Sequence, residues 1–104
     1  MKRGDVWLAA LHEPIGRRPV ILLSRDEAYE IRTSVTVALV TTTIRNIRTE
    51  VLLTPEEGLA RRCVVNLDDL FTVRIARLER FITHLSPEKL EQVNSALKFA
   101  LALR

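Results

Sequence analysis

The hydrophobic pattern of this chain changes period only once, and late. Up to about residue 85 the apolar residues come in short runs of strand length; beyond Ser86 and Pro87 they repeat at helical spacing. Val6 to Leu11 reads as a first strand, anchored by Trp7, with Pro14 and Gly16 marking the turn after it. Val20 to Leu23 is wholly apolar, as a strand buried on both faces would be. Val35 to Thr41 is β-branched and alternating, after a polar connection, Arg25 to Ser34, with a helical turn around Asp26 to Tyr29. Further strands are predicted at Thr49 to Leu53, Cys63 to Leu67, Phe71 to Val73 and Glu79 to Leu85. Breaks fall at Arg45 to Arg48, Pro55 to Gly58 and Asp68-Asp69, with one helical turn over Arg74 to Leu78.

The last segment obeys different rules. Ser86 suits an N-cap, Pro87 the first helical position, and Glu88 the positive end of the helix dipole. Leu90, Val93, Leu97 and Leu101 then fall on one face, so a helix is predicted from Pro87 to Leu103. Phe99 lies off that stripe. Many short strands followed by one helix make a mainly β domain. The expected form is a small, strongly bent antiparallel sheet or partly open barrel packed by the terminal helix. The 104 residues are read as a single domain, residues 1–104, since domains most often run to about 100–150 residues.

Several function classes are disfavoured at this level. No apolar stretch approaches the roughly 18 residues of a membrane span and no leader is visible, so a cytoplasmic location and no membrane partner are expected. Cys63 is the single cysteine, flanked by Val64 and Val65 as a core thiol would be, so no intrachain disulfide is available. Two distant histidines, His12 and His84, give no metal-ligand spacing, and neither metal nor cofactor is expected.

The net charge of +3 permits a nucleic-acid partner without demanding one. Thirteen of the 16 basic residues are arginine. Arg17 and Arg18 sit at the mouth of the second strand, and Arg45 and Arg48 follow the Thr41-Thr42-Thr43 run that ends the third. Pro19 restricts Arg18 to extended geometry, so this guanidinium is positioned. Guanidinium and hydroxyl groups at neighbouring strand ends form a phosphate-binding set.

Four motifs in order then identify a family. Arg3-Gly4-Asp5-Val6-Trp7, Arg18-Pro19-Val20, Val40-Thr41-Thr42 and Leu85-Ser86-Pro87-Glu88 resemble those of the MazF/PemK toxins, from about Arg3 to Leu103. The resemblance implies a CcdB-like barrel of SH3 type, a homodimer, and sequence-specific cleavage of single-stranded RNA without metal. That RNA is messenger, or else ribosomal or transfer RNA. A cognate antitoxin of the MazE type would hold the enzyme inactive. By the same resemblance Arg18 and Thr41 are active-site residues, and Asp68 matches an acidic residue that acts in some relatives. The chain departs from the pattern in a shortened Leu11 to Arg17 loop, which leaves the position of His12 ambiguous. Asn66 stands where those relatives carry a basic partner, and Phe71 where an arginine is common.

For such a ribonuclease the substrate's 2′-OH attacks the adjacent phosphorus, and the protein must stabilise the phosphorane's charge and handle two protons. Arg18 suits the charge. Thr41 either hydrogen-bonds a phosphate oxygen or orients the attacking hydroxyl, and Asp68 is either the proton acceptor or a turn carboxylate. Arg17, Thr42, Arg45 and Arg48 are the expected RNA contacts, and alternation allows only one face of the threonine run to line the site. The alternative is a CcdB-like, non-catalytic toxin that binds DNA gyrase. The ending Leu101-Ala102-Leu103-Arg104 lacks the aromatic and small residues such a toxin relies on.

Overall fold

A wholly apolar strand needs cover on both faces, and the computed structural model, which describes all 104 residues, supplies it. Six antiparallel strands form one sheet: β1 (Asp5–Ala10), β2 (Arg17–Leu22), β3 (Ser34–Thr41), β4 (Glu50–Leu53), β5 (Cys63–Arg74) and β6 (Leu78–His84). Their order across the sheet is β4-β5-β3-β2-β1-β6. A short helix, α1 (Ala28–Ile31), joins β2 to β3, and α2 (Pro87–Ala100) follows β6.

Two hydrophobic clusters flank the sheet. Ile21 and Leu23 enter the larger one, with Val6, Val40, Leu67, and Val93 and Ala96 of α2. Val20 and Leu22 enter the smaller one, with Ala9, Val37, Val73, Leu78, and Ala28 of α1. One 14-residue helix covers only one face. The other face is closed largely by the sheet curling over itself, with β4 and β6 left as open edges.

The bend expected at Asp68-Asp69 is a bulge inside one long strand. Leu39 pairs with Asn66 while its neighbour Ala38 pairs with Leu70, so three extra residues bulge from β5. An odd insertion reverses the pleat. Cys63, Val65 and Leu67 therefore face the larger cluster, whereas Phe71 and Val73 face the smaller one.

Strand β2 begins at Arg17, three residues earlier than its apolar run, because Arg17, Arg18 and Pro19 pair with Ala10, Ala9 and Leu8 of β1. The terminal helix is shorter than predicted. Ser86 caps it, its Oγ accepting from the Lys89 N–H at 3.2 Å. It ends at Ala100, where Ala102 takes a left-handed φ of 56°. The Ala102 and Leu103 N–H groups close the last turn onto the Phe99 and Lys98 carbonyls, a Schellman arrangement with alanine in the glycine position. Leu101 consequently leaves the stripe and is exposed, and Leu90, Val93, Ala96, Leu97 and Ala100 make the buried face.

Candidate active site

Pro19 creates the site by what it lacks. Val20 pairs with Leu39, but Pro19 has no N–H with which to extend that ladder towards Val40. Beyond this point β2 and β3 part, and a cleft of about 480 Å³ opens between the start of one and the end of the other. Continued two residues, the register sets Arg18 opposite Thr41. Both line the cleft, with Thr42 and Arg17. The third wall is the β4–β5 loop, which contributes Leu59, Ala60 and Arg61, and Val40 and Cys63 are the apolar lining.

The charges in the cleft are not equivalent. Arg17 pairs with Glu79 of β6, Nε to Oε1 at 2.7 Å and Nη2 to Oε2 at 3.3 Å. The hydrogen bond from Arg17 holds the Glu79 carboxyl below its ordinary value, and Glu79 in turn raises Arg17. Arg18 and Arg61 are exposed and belong to neither of the protein's two ion pairs, which are Arg17 with Glu79 and Asp5 with His84. No carboxylate lines the cleft. Cys63 adds no charge either: burial, and then Glu57, push its thiol pKa up, so it stays a neutral apolar surface.

Thr41 is held in place. Its Oγ1 accepts from the Thr43 N–H at 3.2 Å, which leaves its own O–H free to donate. Thr41 and Thr42 both line the cleft, against the single face that alternation allows, because β3 ends at Thr41 and the chain bends there.

The other expected site residues lie elsewhere. Asp68 is in the β5 bulge, where its Oδ2 accepts from Thr49 Oγ1 at 2.7 Å and its N–H donates to Asn66 Oδ1 at 2.9 Å. It does not line the cleft. Arg45 is exposed, its backbone N–H fastened to Glu50 Oε1 at 2.9 Å. Arg48 stacks on Phe99, 4.0 Å from the ring centroid, in a shallow groove between β4 and α2. His12 lines a separate depression with Phe71 and Arg74, and His84 binds Asp5. Arg61 is the residue that sequence reasoning missed. Its only signal was the Arg61-Arg62 pair after the Pro55 to Gly58 break, which does not say which strand ends the loop will meet.

Known proteins resemble this chain over nearly its full length. The family described as "PemK-like, MazF-like toxin of type II toxin-antitoxin system" matches residues 2–101. The chain is 40% identical over 100 residues to a protein named "Probable endoribonuclease MazF5" from Mycobacterium tuberculosis, covering 95% of this chain and 91% of that one. The solved structure of "Mycobacterium tuberculosis toxin MazF-mt6" superposes with a TM-score of 0.89 at 32% identity, covering 96% and 98% of the two chains. Another, "Endoribonuclease in complex with its cognate antitoxin from Mycobacterial species", does so with a TM-score of 0.88 at 27% identity over 100% and 97%. With a cleft of free arginine and threonine side chains on the fold of these toxins, the chain belongs to the PemK-like, MazF-like family of type II toxin–antitoxin systems.

Proposed function

We propose that this endoribonuclease toxin cuts single-stranded RNA by attack of the substrate's own 2′-OH, without a metal ion. The observation that carries the reading is that the unpaired Arg18 guanidinium and the Thr41 hydroxyl line one cleft without carboxylates. In the reaction the 2′-oxygen bonds to the adjacent phosphorus and the bond to the 5′-oxygen breaks. A base takes the 2′ proton and the departing 5′-oxygen receives one. Arg18 holds the phosphorane's negative charge by charge-assisted hydrogen bonds, and Thr41 donates to a second non-bridging oxygen. Arg61 faces the same space and adds positive potential. In this reading Asp68 braces the bulge through Thr49.

The relatives named endoribonucleases favour cutting over the gyrase-binding alternative. Two partners complete the proposal. A second copy related by a two-fold axis would turn a shallow cleft into a longer RNA groove. A cognate antitoxin would lay an acidic segment in that groove in place of RNA, as the free positive charge there invites. No helix is long and apolar enough to cross a membrane, and the proposed substrate places the enzyme in the cytoplasm.

The test is incubation of the purified chain with a long unstructured RNA in EDTA, followed by end-group analysis. Fragments should carry 2′,3′-cyclic phosphate and 5′-hydroxyl ends at an unreduced rate. Activity abolished by EDTA and restored by magnesium would overturn the mechanism.

A further inference from the structure

The cleft continues past Pro19. A second depression of about 370 Å³ opens there, within the range of roughly 300–1,000 Å³ that ligand sites occupy. Leu8, Pro19 and Ile82 line its apolar side, Leu59 and Ala60 its loop wall, and Arg80 also reaches it. Pro19, Leu59 and Ala60 line both depressions, so the two form one continuous groove.

Strand pairing explains the row. Leu8 of β1 pairs with Pro19 on one side and with Arg80 on the other, and directly paired residues share a face of the sheet. Arg80 therefore stands two strand spacings, about 10 Å, from Pro19. The nearest carboxylate in sequence, Glu79, is taken by Arg17, and Arg80 forms no ion pair. The loop wall is set firmly. Gly58 has a φ of +103°, and a Cβ there would stand 2.9 Å from Thr83 Cβ, so this backbone lies directly against β6. Thr54 and Glu57 lock the preceding turn by reciprocal capping hydrogen bonds.

We propose that this second depression is a nucleotide subsite. It takes the residue next to the scissile phosphate on the same RNA strand, its base and ribose against Leu8, Pro19 and Ile82 and its phosphate on Arg80. Continuity with the cleft and an unshared positive charge single out a flanking nucleotide of the substrate as occupant. The apolar lining offers no hydrogen bonds to a base edge, so the subsite selects by shape and apolar contact.

This inference rests on the cleft being the RNA-cutting site, and the experiment separates the two claims. A pool of RNA with a randomised central segment is cut by wild type, Arg80→Gln, Ile82→Ser and Arg18→Ala, and the fragments are sequenced. KM for the pool is measured across a series of salt concentrations. Arg80→Gln should raise KM by about tenfold, the worth of one charge-assisted contact. The same variant should make the salt dependence shallower by about 0.7 in log–log slope, the signature of one lost phosphate contact on a single strand. Arg80→Lys should restore that slope. Ile82→Ser should flatten nucleotide preference at one position beside the cut and leave the others as they are. Arg80 is exposed, so its variants test the claim even where Ile82→Ser unfolds. If Arg80→Gln keeps the wild-type KM and slope while Arg18→Ala ceases to cut, the subsite is refuted and the cleft stands. If Arg18→Ala folds and cuts normally, the reading of the cleft itself falls.

Discussion

Arg17 and Arg18 are neighbours in sequence with the same charge, and both are exposed, yet the fold gives them different work. Arg17 reaches across β1 to Glu79 on β6 and spends its charge there, while Arg18 lines the cleft at the end of β3 and forms no ion pair. Substitutions should separate them. Arg18→Ala should lower kcat/KM on the order of 10²–10³, as for loss of one transition-state donor. Arg17→Ala should cost less than about tenfold, since an exposed ion pair contributes little. Thr41→Ala should fall between the two, and Thr41→Ser should recover most of the rate because the hydroxyl is retained. Initial rates on a defined RNA, beside near-ultraviolet circular dichroism to confirm folding, decide the order. An Arg17→Ala loss as large as that of Arg18→Ala would mean that the ion pair opens on binding RNA.

At the scale of elements, the start of β1 is fastened to the end of β6 by a buried carboxylate. Asp5 is 4% exposed, with its Oδ1 2.8 Å from His84 Nδ1. Its Oδ2 accepts from the Lys2 N–H at 3.1 Å and from Trp7 Nε1 at 3.3 Å. Burial pushes this carboxyl upward, but hydrogen bonds from His84, Lys2 and Trp7 together outweigh it, and the pKa lies below the ordinary 3.8. A carboxyl lowered by folding stabilises the protein above its unfolded value, and that contribution is lost as pH falls through the folded one. Asp5→Asn should therefore be less stable than wild type at about pH 5, with the gap narrowing towards about pH 2.5. Urea unfolding at the two pH values measures it. A gap of constant size would show that Asp5 is not the linked group.

For the whole molecule, what stays uncovered matters most. Phe99, Leu101 and Leu103 are each about half exposed at the end of α2, and Arg48 stacks on the first of them. An apolar patch of this kind on a small domain is more often an interface than bare surface. Sedimentation at micromolar concentration should return the mass of two chains, and Leu103→Glu with Phe99→Glu should weaken the association. A single-chain mass for the wild type would refute the dimer. An acidic antitoxin segment should compete with a short uncleavable RNA for the cleft, and its affinity should fall with added salt, because exposed charges are screened over about 8–10 Å. Simultaneous binding of both without mutual loss would place inhibition elsewhere.

Much of this protein is local enough to be written in its residue order. Strands and terminal helix follow from period and caps: the apolar run at Val20 to Leu23 announces burial on two faces, and Ser86-Pro87 announces where the helix starts. Pro19 and the threonine run mark strand ends, and the family resemblance singles out Arg18 and Thr41 among the polar residues there. The partners were not legible. Whether Arg17 meets Glu79 depends on a separation of 62 residues closed by β1 lying between their strands. Arg61 joins the cleft because the β4–β5 loop folds back against Thr83. Asp68 and Arg48 went elsewhere because a three-residue bulge and an aromatic ring on α2 took them. Hydrophobic period is a property of neighbours along the chain and survives reading in one dimension. The pairing of charges is decided by which strand ends the curled sheet brings within a few ångströms, and only the tertiary structure settles that.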